Sequence, residues 1–179
     1  MFNGSALQYL YFDELDRAFF VDGAVPAALR RSLRRLERVR ARIEAARNRF
    51  RRERLTWEEM RLAADASLLA VRKALCGREY LAWRRRPARL GAPSRRKLAR
   101  ALTQLADEQT ALARRLRRLW LQRSRPSNFE ITKRRIDRSV RSMRRGARAL
   151  ARNRPPAPPP PHPGFSLESV LAALQRIGS

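Results

Sequence analysis

Residues 94–122 read SRRKLARALTQLADEQTALARRLRRLWLQ. Within them Leu98, Leu102, Leu105, Gln109, Leu112, Leu116 and Leu119 recur at alternating steps of four and three. That spacing puts all seven on one stripe of an α-helix, the heptad seam of a helix packed against another helix. A half-buried strand would alternate with period two, and this stretch does not. Gln109 is the one polar residue in the seam.

The same period continues on either side. Residues 129–152 carry Phe129, Thr132, Ile136, Val140, Met143, Ala147 and Leu150 on one stripe. Upstream, residues 57–86 carry Trp57, Met60, Ala64, Ser67/Leu68, Val71 and Leu75, with Gly77 as a weak point or early end. Residues 26–54 carry Leu29, Leu33, Leu36, Ile43 and Phe50, with Arg40 and Arg47 at two positions that would otherwise be apolar. Residues 5–20 carry Leu7, Leu10, Tyr11, Leu15, Ala18 and Phe19, and Asp22-Gly23 ends that helix.

The joints are short. Thr56-Trp57-Glu58-Glu59 reads as a capping box, and Pro87 to Pro93 as a turn. Arg125-Pro126 stops the 94–122 helix, because the residue before proline disfavours helix, and Ser127 with Glu130 starts the next. Trp120, Arg125, Pro126, Ser127 and Glu130 thus form a helix-hairpin corner with a structural role. Long helices with short joints pack as antiparallel neighbours. The expected fold is an all-α antiparallel bundle over residues 1–154, with about four long helices and a shorter N-terminal one. Residues 155–164 form a proline-rich linker. Residues 165–179 form a short amphipathic helix, with Leu167, Val170, Leu171, Leu174 and Ile177 on its apolar face, which docks on the bundle or enters a protein partner's groove.

Charge is the second dominant feature. The 179 residues hold 42 Lys and Arg against 16 Asp and Glu, a formal net charge of +26. Residues 1–22 run the other way, with Asp13, Glu14, Asp16 and Asp22 against Arg17. The excess lies between residues 23 and 154, and such a field attracts polyanions. The candidate polyanion-binding residues are Arg30, Arg31, Arg34, Arg35, Arg38 and Arg42, then Arg84, Arg85 and Arg86, then Arg95, Arg96 and Lys97, then Lys133, Arg134 and Arg135. Arginines on successive helical turns can follow a phosphate backbone. Tyr80 and Trp83, beside Arg84–Arg86, offer stacking surfaces for unpaired bases. The plainer reading of each run is a solvated helix face, with Trp83 in the core. No base-reading motif accompanies the runs.

Catalytic chemistry is sparse. His162 is the only histidine and lies in the proline run, and Cys76 is the only cysteine, with no histidine partner. No glycine-rich phosphate loop or metal-ligand spacing is present, so neither enzyme activity, cofactor nor metal is expected. Asp13, Glu14 and Asp16, like Asp107 and Glu108, read as helix surface or as partners for arginine. No run reaches the ~18 apolar residues of a membrane span, and a cytoplasmic location is expected.

Leu119-Trp120-Leu121-Gln122-Arg123-Ser124-Arg125-Pro126-Ser127-Asn128-Phe129-Glu130 resembles a stretch found after the catalytic barrel of some bacterial glycoside hydrolases of family 20, the β-N-acetylhexosaminidase type. The segments Tyr11–Phe19 and Met60–Leu75 are similar in feel, and the resemblance covers about residues 7–150. Enzymes of this class work by substrate assistance, through an Asp-Glu pair in the barrel. Residues 1–179 hold no barrel and no match to that pair, so the resemblance implies a non-catalytic helical accessory module and carries over no catalytic role. It implies a detached module or a reading frame that begins further upstream. Two other functions fit the residues: sequence-nonspecific nucleic-acid binding through arginine faces, and a self-associating coiled-coil adaptor whose register Gln109 sets.

Overall fold

A computed structural model describes Glu14, Leu15 and residues 25–123 and 129–156. The fold is all-α. Four long helices follow in order: α1 Pro26–Ala45, α2 Arg54–Arg85, α3 Ala92–Arg123 and α4 Phe129–Ala151. Single 3₁₀ turns at Arg47–Phe50 and Pro87–Arg89 lie in the first two joints.

Side-chain partners define the directions. From α1 to α2, Arg40 meets Asp65 and Arg61 meets Glu44. From α2 to α3, Asp65 meets Arg115 and Arg72 meets Glu108. From α3 to α4, Gln109 meets Ser139 and Asp107 meets Arg144. In each pair the residue numbers run in opposite senses, so successive helices are antiparallel. Lys73 of α2 bonds Ser139 of α4, and Tyr80 lies beside Gly146, so α2 and α4 run parallel across the bundle.

The core sits among α2, α3 and α4. Leu69, Tyr80, Trp83, Leu98, Leu102, Leu105, Ile136, Met143 and Leu150 are buried there. Leu15, expected on an apolar N-terminal face, joins them. It sits over Gly146, and its backbone N–H donates to Ser142 Oγ at 2.7 Å. The α3 seam is buried as expected except at Leu116, which is half-buried. Gln109 is fully buried and accepts from Ser139 Oγ at 3.0 Å, while Ser139 Oγ accepts from Lys73 Nζ at 3.0 Å. The polar residue in the seam is thus bonded inside the bundle.

Several boundaries depart from expectation. The first long helix ends at Ala45 rather than running to residue 54. Trp57 Nε1 donates to the Ile43 carbonyl at 2.8 Å, and that carbonyl is the one a continued helix would offer to the residue 47 amide. Arg47, expected on the apolar stripe, lies over the Trp57 ring at 5.4 Å, with Arg61 at 5.3 Å. Arg40 fills its stripe position by donating to Asp65 at 2.6 Å. The second helix starts at Arg54, so Thr56 lies within its first turn instead of capping it. Met60, expected on the buried face, is exposed, while Trp57, Ala64, Leu68 and Val71 of the same stripe are buried. Leu62, Leu69 and Tyr80 on the other side of α2 are buried as well, because α2 has neighbours in α1, α3 and α4. Gly77 does not end the helix; it is a buried position inside α2.

Trp120 packs against Phe129 with ring centroids 6.1 Å apart, which closes the α3–α4 corner. Arg125, Pro126 and Ser127 lie outside the described residues. So do most of the expected N-terminal helix, the proline linker beyond residue 156 and the C-terminal helix; the two described residues of the N-terminal stretch, Glu14 and Leu15, are not helical, Leu15 standing in a turn. Among the described residues, no helix is long and apolar enough to cross a membrane.

Candidate polyanion interface

The arginines divide into those used by the fold and those left facing water. Asp65 accepts from Arg40 and from Arg115 at 2.7 Å. Burial alone would raise its carboxyl, but the hydrogen bonds from Arg115 and Arg40 outweigh that and hold it below the usual carboxylate range. Glu58 accepts from Arg118 and Glu108 from Arg72, so these acids join α2 to α3. Asp107 and Glu108, read from the sequence as helix surface or as partners for arginine, meet Arg144 and Arg72 on other helices. These pairs are mostly half-exposed ties between neighbouring helices, each worth little by itself.

The sequence-predicted basic residues fall into three places. Arg30, Arg31, Arg34, Arg35, Arg38 and Arg42 are exposed on α1. Five of them, Arg31 to Arg42, share the side opposite Leu29, Leu33 and Leu36, because helical spacing puts both sets on fixed faces. Lys133, Arg134 and Arg135 are exposed at the start of α4, where Lys133 pairs with Asp137 at 2.8 Å. That hydrogen bond pushes the Lys133 ammonium above its ordinary range. Arg84, Arg85, Arg86, Arg95, Arg96 and Lys97 meet at the opposite pole, where the end of α2 turns through Pro87–Arg89 into α3.

Two of that pole's residues are drawn in, and one of them serves the turn. Arg95 Nη1 donates to the Leu90 carbonyl at 2.9 Å, and Arg84 is half-buried with its Nη1 enclosed. Arg84 and Arg85 stand in the last turn of α2, where positive charge suits the helix dipole. Arg96 and Lys97 do the reverse. They are exposed near the start of α3, whose first turn carries no acid, and a positive charge there opposes the dipole. Helix stability gives no reason for them.

The α4 arginines were only partly visible as a site. Arg134, Arg138, Arg141, Arg145, Arg148 and Arg152 are all exposed and recur at 4-3-4-3-4 spacing. The buried residues Ile136, Val140, Met143, Ala147 and Leu150 hold the other face of the same helix. One guanidinium per turn therefore runs about 27 Å along α4. The sequence signal for this stripe is the 4-3 period of single arginines rather than adjacent-residue runs such as Lys133-Arg134-Arg135. Arg145 within the stripe meets Glu14 at 3.4 Å.

The α3–α4 register adds a second row. Leu102 lies opposite Gly146, and Gln109 opposite Ser139. The same register brings Arg100 level with Arg148, and Arg96 level with Arg152. Arg100, Arg144 and Arg148 line one open trough of about 540 Å³ between the two helices.

The stacking role considered for Tyr80 and Trp83 is overturned. Both are buried, Trp83 to 1% exposure, and their rings pack on each other with centroids 5.6 Å apart. Trp83 faces inward because it shares the α2 face of Leu69 and Tyr80. Cys76 is half-buried; burial first, then Glu79, pushes its thiol up to about 11.

No protein-family model matches the chain, and no curated protein or solved structure matches it.

Proposed function

We propose that this protein is a non-catalytic, cytoplasmic helical bundle that binds nucleic-acid duplexes without sequence preference, through arginines on its helix faces. The observation that carries the reading is the six-arginine stripe along α4, exposed at every position. Regular guanidiniums on a rigid helix neutralise phosphates and release counterions. A duplex is favoured over unpaired bases because Tyr80 and Trp83 are enclosed and offer no face for stacking. The heptad seam of α3 is occupied by its own bundle, which counts against a self-associating adaptor built on that seam.

A second reading is the helical accessory module suggested by the resemblance to the post-barrel region of family 20 hydrolases. It is supported by the Trp120–Phe129 contact, which builds a corner from the residues that carry the resemblance.

The test is titration of the full chain against labelled duplex DNA, duplex RNA and heparin, from about 50 to about 300 mM salt. Duplex binding that exceeds heparin binding and persists at about 150 mM salt is the expected result. Equal binding of all three with joint release as salt rises leaves only a polyelectrolyte effect and favours the accessory-module reading.

A further inference from the structure

We propose that the trough between α3 and α4, floored by Ala99, Ala147 and Ala151 and walled by Arg100, Arg144 and Arg148, seats the phosphodiester backbone of a nucleic-acid duplex. This rests on the duplex-binding reading and names where the backbone lies.

The trough has a physical origin. Alanine at positions 99, 147 and 151 leaves a depression where longer side chains would fill the space between two packed helices. Its walls are positive from both sides. Arg144 and Arg148 are one turn apart on α4, and Arg100 faces Arg148 from α3. Thr103 and Gln104 add polar groups along the α3 wall. At the inner end of the trough Arg144 is paired with Asp107 at 2.9 Å, so the positive charge offered to a phosphate rests chiefly on Arg100 and Arg148. Toward the pole, Arg96 and Arg152 extend the positive rows, and both are exposed. A backbone lying there meets charge on both flanks, whereas on α1 it meets charge from one helix only.

Charge and shape are separable by substitution. Arg100→Ala with Arg148→Ala removes two exposed guanidiniums from the trough. Arg31→Ala with Arg35→Ala removes two exposed guanidiniums from α1 and serves as the equal-charge control. Ala151→Phe leaves the charge unchanged and fills the floor at an exposed position. Circular dichroism and thermal melts establish that each variant is folded. Binding to a labelled random-sequence DNA duplex is measured across salt.

The trough double variant is expected to bind about tenfold more weakly than the parent, with the log–log salt slope reduced by about 2, one per lost phosphate contact. The α1 control is expected to lose about threefold or less. Ala151→Phe is expected to weaken binding with the slope nearly unchanged. Equal losses for the two double variants, or no effect of Ala151→Phe, overturn the trough while leaving duplex binding intact. A parent chain that binds no duplex at about 150 mM salt overturns both.

Discussion

Gly146 and Leu15 occupy one another's space: a carbon built on Gly146 would lie 2.7 Å from Leu15 Cδ2. It would also lie 3.2 Å from Tyr80 Cε2 and 3.4 Å from Leu102 Cδ1. The missing side chain on α4 is what admits the N-terminal residue between α2, α3 and α4. Gly146→Ala gains up to about 1 kcal/mol of helix propensity but overpacks this junction, at a cost of about 1–3 kcal/mol. The net expectation is mild destabilisation. In a double-mutant cycle by urea unfolding, Leu15→Ala should relieve part of the Gly146→Ala cost. Strict additivity would show that the two residues do not share the space.

Ser139 stands between Lys73 and Gln109 in a buried relay. Ser139→Ala removes the hydroxyl that accepts from the ammonium and donates to the amide. A loss of about 1–3 kcal/mol is expected, since a buried polar group that loses a partner carries its full desolvation cost. Ser139→Thr keeps the hydroxyl and should lose less by the same unfolding assay. Equal stability of the alanine variant and the parent would assign the relay no energetic role.

Asp65 makes stability depend on acid. Its folded carboxyl titrates lower than its unfolded one, so the unfolded chain binds the proton first as pH falls. The contribution is complete above about pH 4 and is lost as pH drops through the folded value. Asp65→Asn should cost about 1–3 kcal/mol at neutral pH, because the side chain is 14% exposed and serves two arginines. The gap between parent and variant should close in acid. A gap independent of pH would point to packing rather than to charge.

Cys76 should be slow to alkylate. Its thiol is raised to about 11 from an ordinary 9.0, so at pH 8 the thiolate fraction is roughly a hundredfold lower. Iodoacetamide labelling of the folded chain should lag far behind labelling in denaturant. Comparable rates would contradict the burial.

Helix identity was legible in the sequence because it follows from local spacing. The α3 seam from Leu98 to Leu119 and the α4 stripe from Phe129 to Leu150 each state their buried face, and an all-α fold follows. Boundaries were less legible: Ala45 ends α1 because the Trp57 indole takes the Ile43 carbonyl, a contact made only after the chain reverses. The direction of Trp83 depended likewise on α2 having neighbours in α1, α3 and α4.

By itself the sequence determined the helices, their apolar faces and the excess of arginine, all properties of period and composition. Tertiary structure alone decided which arginines are tied to acids and which stand together. Arg40 and Arg115 converge on Asp65 from different helices, and Arg100 meets Arg148 across a trough from positions 48 residues apart in the chain. The physical reason is register. A helix fixes the angle of each side chain around its own axis, but only packing against a neighbour fixes its height beside another helix, and a shared site needs both.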